Sequence, residues 1–358
     1  MSKLSEEQLI EIVQPLLEWY QKCARVLPWR SDPTPYHVWI SEIMLQQTRV
    51  EAVKEYYQCF LKELPTIQHL AEVPEQQLLK LWEGLGYYNR AKNLQKAAKQ
   101  IVTEYQGKLP PDYQKLQKLP GIGRYTAGAI GSIAFGLPVA AVDGNVLRVL
   151  SRLLASKDNI SKNEAKLKYE NLLSGVLVEM KRAYHPGAFT QALMELGAMV
   201  CVPNGAPKCL LCPLQQLCQA YEKGIAESLP IKDGKKARRV ESKTVFVLTC
   251  ENRIAIRKRP ETGLLSSLWE LPNVEGILSQ KQVKEQLKNW DLEVVTIKKK
   301  KKAKHIFTHI EWNMIGFEIT VKSIENNHLF LWSTIQELKE QYPLPTAFGA
   351  YSPIKRQG

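Results

Sequence analysis

LPGIGRYTAGAI, residues 119–130, is the stretch that decides the fold. Pro120-Gly121-x-Gly123 reads as a tight hairpin, because its glycines permit positive φ and close backbone approach, and the residues that follow can begin a helix. Leu119 and the small run Ala127-Gly128-Ala129 supply helical faces on either side. Backbone N–H groups at such a turn can hold a phosphate without reading any base, which makes Gly121 and Gly123 candidate nucleic-acid backbone contacts. The same pattern also serves as an ordinary helix–helix turn, so the surrounding sequence has to separate the two.

Outward from the hairpin, apolar residues recur at helical spacing up to about residue 225. Ile10, Val13, Leu16 and Leu17 mark one stripe; Leu78, Leu79, Leu81 and Trp82 begin another. Residues 1–225 are expected to form an all-α domain, with only PVAAV (138–142) ambiguous between helix and strand. Residues 226–243 are basic, contain a proline and show no buried face, which is linker composition. From 244 to 358 the pattern changes. TVFVLT (244–249), RIAIRK (253–258) and WNMIGFEITV (312–321) have strand composition, whereas Gln280 to Trp290 and Thr334 to Gln341 are helical. The C-terminal domain is expected to be α+β.

The 358 residues are 44% apolar and 24% charged, which excludes a disordered or fibrous chain. No apolar run approaches a membrane span, and the N-terminal pattern is an amphipathic helix rather than a secretory signal, so a cytoplasmic protein is expected. A net charge of +13 favours an anionic partner, for which nucleic acid is the commonest choice. That charge is uneven: residues 1–230 carry 26 basic and 22 acidic side chains, residues 231–358 carry 23 and 14. Lys298 to Lys304, interrupted only by Ala303, is expected to be a solvated, flexible run that attracts phosphates in a salt-dependent way.

Three further features carry chemistry. Within VWISEIMLQQT (38–48) only Ser41 and Glu42 are polar between Val38 and Leu45. The Glu42 carboxyl either escapes along a narrow polar edge or sits in an apolar setting that lets it hold a proton near neutral pH. Asp143 stands directly before an apolar-periodic helix, where it can cap free amides and be held as an anion by them. A proton donor and an anionic carboxylate are the pair that cleavage of a glycosidic bond needs. Finally, Cys201, Cys209, Cys212 and Cys218 fall within eighteen residues. Four thiolates at this spacing are a closed ligand set for a [4Fe-4S] cluster or a structural zinc.

The hairpin, an aspartate about twenty residues later and the four-cysteine loop together resemble the endonuclease III-like DNA glycosylase superfamily. Within it, SEIMLQQT, GLGYYNRAKNL (84–94), VDGNV and the extra C-terminal domain resemble the MutY family of adenine DNA glycosylases. The resemblance implies an all-α helix-hairpin-helix domain with an iron–sulfur loop, followed by a Nudix-like α+β domain. It implies removal of adenine mispaired with 8-oxoguanine, with a [4Fe-4S] cluster bound by the four cysteines. The partner would be double-stranded DNA containing A:8-oxoguanine or A:G mispairs, met by a monomer at the nucleoid of a bacterial-type cell.

Residue by residue, Glu42 matches the general acid that protonates adenine N7, Asp143 the carboxylate that stabilises the sugar cation, and Asn145 a partner that orients the glutamate. Tyr125 occupies the position where bifunctional relatives carry a Schiff-base lysine, which implies a monofunctional enzyme. Arg25, Leu27, Trp29, Arg30 and Gln191 match the adenine pocket, and Gln47 and Tyr87 match residues that fill the duplex around 8-oxoguanine. Phe307-Thr308-His309 aligns with a Phe-Ser-His loop that recognises the lesion. The C-terminal domain lacks the glutamate-rich signature that binds catalytic magnesium, and the first cysteine spacing is seven residues where six is usual.

Overall fold

Gly121 adopts φ +76, and a Cβ there would lie 2.7 Å from Asn93 Cβ, so the turn admits glycine alone without a shift. Gly123 differs from the expectation of positive φ: it is extended, at φ −85, and caps the Arg124–Ala129 helix with open space around its Cα. In this computed structural model residues 3–234, 237–325 and 327–353 are described. They divide into two compact units, Met1–Glu72 with Asn93–Gly234, and Val73–Lys92 with Lys235–Gly358.

The first unit is helical. Val13–Cys23, Gly144–Leu153, Asn163–Met180 and Pro186–Met199 bury Leu16, Val146, Leu150, Val176, Phe189 and Leu193 in one core. PVAAV is neither helix nor strand; it runs as unpaired chain with Ala140, Ala141 and Val142 buried. A Cβ on Gly128 would sit 2.0 Å from the Ala140 carbonyl oxygen, so the missing side chain lets the hairpin helix press on the segment that delivers Asp143. The start of the basic linker also has a buried face: Leu229 is buried, and Ile231 forms a parallel bridge with Asn159.

The second unit is built on an eight-stranded sheet, with strands β1 (Arg239–Cys250), β2 (Arg253–Lys258), β3 (Trp269–Glu270), β4 (Asn273–Glu275), β5 (Val294–Lys299), β6 (Ala303–Ile306), β7 (Ile310–Val321) and β8 (Leu331–Thr334). The main path runs β3-β2-β1-β7-β5, and β1 and β7 pair in parallel from Arg239↔Ile310 to Thr249↔Thr320. Alternation along these strands serves two cores. Phe246, Leu248, Phe317 and Ile319 pack on Val283 and Leu287, while Val245, Val247, Trp312 and Met314 pack on Leu338, Phe348 and Tyr351. The lysine run is not a flexible tail: Lys298 and Lys299 end β5, Lys304 lies in β6, and both strands flank β7. Lys300 and Lys304 pair with Glu318 and Glu311 at 2.8 and 2.7 Å, because a cross-strand carboxylate is within reach once the run enters the sheet. Among the described residues, no helix is long and apolar enough to cross a membrane.

Candidate active site

Thr34 caps the Pro35–Leu45 helix by accepting from His37 N–H, and Pro35 occupies the first turn, where its missing N–H costs nothing. The helix is buried on every side from Val38 to Met44, so Glu42 has no polar edge to escape along and is 7% exposed. Burial pushes its carboxyl up to about 7; the Tyr125 hydrogen bond opposes this, the charge of Asp143 adds to it, and Arg30 opposes it. Tyr125, in the first turn after the hairpin, donates its hydroxyl to Glu42 Oε2. Burial raises that phenol far above its usual range, so it stays a donor.

Asp143 is the N-cap of the Gly144–Leu153 helix. Oδ1 accepts from the N–H groups of Asn145 (2.9 Å) and Val146 (2.8 Å), and Oδ2 accepts from Asn145 Nδ2 (2.7 Å). Burial still leaves this carboxyl above its ordinary value, with those donors and Arg148 pulling it back. Asn145 is thus bonded to Asp143: two positions past the cap, its short amide reaches the aspartate directly. Its Oδ1 accepts from Arg148 Nη2 at 2.9 Å, and Arg148 also donates to the carbonyls of Gly197 and Cys201.

Arg25, Leu27, Trp29, Arg30, Glu42, Gln47, Gly121, Gly123, Tyr125, Asp143, Asn145 and Gln191 all line one cavity of about 1080 Å³. Glu195, which the sequence reading missed, lines it too. Arg25 holds Glu195 through Nε (2.7 Å), Nη2 (2.8 Å) and its backbone N–H (3.0 Å), and Arg30 adds Nη2 at 2.7 Å. Burial alone would raise the Glu195 carboxyl, but these donors outweigh it and hold it at about 2. The signal was available: Glu195 is the lone acid in the apolar helix Pro186–Met199, as Glu42 is in its own helix. Trp29 packs edge-on against Tyr57, with ring centroids 5.6 Å apart, which fixes one apolar wall. Gln47 takes φ +58 immediately after the Glu42 helix, a left-handed turn at the cavity edge.

In the second unit, Phe307, Thr308 and His309 form the turn between β6 and β7, closed by Phe307 N–H to the Ile310 carbonyl at 2.8 Å. Phe307 is wedged between His305 and Trp312, with ring centroids at 4.6 and 4.8 Å, while Thr308 and His309 are exposed. Tyr87 belongs to the same unit. It also adopts a left-handed φ of +48, carries Arg90 over its ring, and its hydroxyl lies 2.8 Å from Thr308 Oγ1.

Residues 40–174 match the HhH-GPD superfamily of base excision DNA repair proteins, and residues 244–351 match the NUDIX domain. The adenine DNA glycosylase of Buchnera aphidicola (subspecies Baizongia pistaciae) is 34% identical over 349 residues, covering 96% of this chain and 94% of that protein. The chain belongs to the adenine DNA glycosylase family. The human adenine DNA glycosylase is 35% identical over 83% of this chain, which spans 64% of the human protein's length. The fold of a thermostable thymine-DNA glycosylase superposes at a TM-score of 0.53 with 29% identity over 61% of this chain and 98% of its own. Endonuclease III from a non-covalent DNA complex gives 0.50 with 26% identity over 62% of this chain and 98% of its own. The protein is thus a DNA glycosylase of base excision repair.

In this glycosylase the four cysteines line a single small cavity of about 30 Å³ beside Arg152, whose Nη1 lies 3.2 Å from Cys201 Sγ. None forms a disulfide. Among the described residues, no three His, Cys, Asp or Glu side chains form a group that could hold a metal ion. Burial pushes the Cys212 thiol up to about 12, with the other three thiols adding to the rise. Residues 203–206 of the seven-residue spacing project into solvent, closed at their base by Lys208 N–H to the Val200 carbonyl at 3.0 Å. Four soft sulfur donors lining one cavity have the donor chemistry of a thiolate-bound metal group.

Proposed function

We propose that this enzyme hydrolyses the N-glycosidic bond of deoxyadenosine opposite 8-oxoguanine. The observation that carries the proposal is the placement of Glu42: a buried carboxyl, pushed by that burial up to about 7, sharing a cavity with a capped aspartate. Adenine leaves poorly as an anion. Proton transfer from Glu42 to N7 lets the C1′–N9 bonding pair depart with a neutral base, while the Asp143 carboxylate faces the oxocarbenium-like sugar. Water then adds to C1′ and returns a proton to Glu42. Tyr125 donates to Glu42 and offers no amine, which supports hydrolysis without strand scission. Arg25, Leu27, Trp29, Arg30 and Gln191 line the adenine pocket in this reading, and the hairpin amides at Gly121 and Gly123 take backbone phosphates.

Lesion reading falls to Gln47, Tyr87 and the Phe307-Thr308-His309 turn, which is supported by the hydroxyl contact between Tyr87 and Thr308. Cys201, Cys209, Cys212 and Cys218 would hold a [4Fe-4S] cluster, whose contribution is structural because all four protein positions are filled. The enzyme acts as a monomer on chromosomal DNA in a bacterial-type cytoplasm. The test is a glycosylase assay on A:8-oxoguanine, A:G and C:8-oxoguanine duplexes. Free adenine from the first two, fastest from the first, without strand breaks until base is added, is expected. Release from C:8-oxoguanine, or spontaneous strand scission, refutes the reading.

A further inference from the structure

The cavity that holds Glu42 and Asp143 is also lined by two lysines that the catalytic reading leaves unused, Lys166 and Lys232. Its other charges are committed. Arg25 and Arg30 converge on Glu195, and Arg124 pairs with Glu170 at 3.4 Å and donates to Asn163 at 2.8 Å. Among the described residues, neither Lys166 nor Lys232 has a carboxylate within ion-pair distance. Lys232 is exposed, as are Ser161, Gly121 and Gly123, whereas Glu42 is buried. The cavity therefore joins exposed hairpin glycines and the exposed Lys232 to the half-buried Lys166 and a buried acid.

Lys232 is not carried on loose chain. Ile231 bridges Asn159, Ile160 N–H donates to the Ile231 carbonyl at 2.9 Å, and Asp233 N–H donates to Ser161 Oγ at 3.0 Å. Asn159 Nδ2 adds a bond to Asp233 Oδ1 at 2.7 Å. Three hydrogen bonds on its two neighbours, Ile231 and Asp233, thus hold the backbone on either side of the first lysine of the basic segment against the helical unit. Lys166 is held independently by the Asn163–Met180 helix. Among the described residues Lys232 has no carboxylate within ion-pair distance, and Lys166 shares the charge of Glu170 with Arg124, so both suit an anion supplied from outside; a duplex whose base is drawn into this cavity brings a phosphate on each side of that base.

We propose that Lys166 and Lys232 bind the phosphates flanking the extruded deoxynucleotide, together with the amides of the hairpin. The proposal rests on the base-excision reading above. Each phosphate contact lowers the slope of log affinity against log salt by about 0.9, so the double variant Lys166→Ala/Lys232→Ala loses about 1.8.

The experiment uses the full chain and a duplex carrying 2-aminopurine in place of the target adenine opposite 8-oxoguanine, titrated across salt concentrations. Fluorescence reports unstacking of the target base and anisotropy reports binding. The double variant is expected to lose slope and to unstack the base less, whereas Lys166→Arg/Lys232→Arg retains both. Lys281→Ala/Lys284→Ala, on the exposed face of the Gln280–Asn289 helix, is expected to leave unstacking at the wild-type level. An unchanged slope in a normally folded double variant overturns the proposal, and so does a lost slope with wild-type unstacking, since the contact would then lie away from the extruded base. Adenine release by the wild type, assayed in parallel on the A:8-oxoguanine duplex, tests the excision reading separately.

Discussion

Replacing Glu42 by Gln tests the acid through stability as well as rate. The rise of the Glu42 carboxyl from 4.5 to about 7 corresponds to about 3 kcal/mol. The folded protein keeps a proton that the unfolded chain releases above about pH 4.5, so folding is favoured by this group in acid and that advantage is lost as pH rises through about 7. Glutamine is neutral throughout and has nearly the same shape. Relative to the variant, the wild type should therefore lose about 3 kcal/mol of stability between about pH 4.5 and about pH 8. Urea denaturation followed by tryptophan fluorescence at both pH values gives the difference, and titrations of groups not coupled to Glu42 cancel. In parallel, single-turnover adenine release by the wild type should fall about tenfold per pH unit above about 7, and the variant should lose roughly 10³-fold at neutral pH. Tyr125→Phe removes the donor that holds Glu42 down and should move the falling limb to higher pH. Matching stability profiles for wild type and Glu42→Gln, or a falling limb that stays in place when Glu42 is replaced, would refute the reasoning.

Two further outcomes follow from the same geometry. Glu195→Gln leaves the Arg25 and Arg30 guanidinium groups without their carboxylate and should destabilise the helical unit by roughly 3 kcal/mol at neutral pH. Because Glu195 titrates at about 2, this difference should persist above about pH 4.5 and shrink as pH falls toward 2; a denaturation midpoint unmoved at neutral pH would contradict it. Tyr87→Phe deletes the 2.8 Å contact with Thr308, worth about 1 kcal/mol, so binding to A:8-oxoguanine should weaken roughly fivefold while A:G binding holds. Equal losses on both duplexes would detach Tyr87 from lesion reading.

Much of this chain was legible before any coordinates. Helical period, the Pro-Gly-x-Gly turn, the aspartate before an apolar helix and the strands at 244–249, 253–258 and 312–321 are local patterns, and each forms where its pattern lies. The lysine run is largely exposed as expected, but its flexibility was misjudged because composition sees only charge. Its place in the sheet depends on β7, whose glutamates accept Lys300 and Lys304 only after the strands pair.

By itself, then, the sequence determined the elements and the inventory of reactive groups, because backbone propensity and periodicity act over a few residues. Tertiary structure decided what those groups are. Glu42 could have been a solvated glutamate, and only the packing of its helix takes the carboxyl largely out of water and leaves it at the wall of a cavity. The bond from Asn145 to Asp143 forms because the helix N-terminus brings the two together. Glu195 stands 170 residues from Arg25, and no local rule pairs them; the cavity exists because the fold closes that separation, which a sequence pattern cannot express.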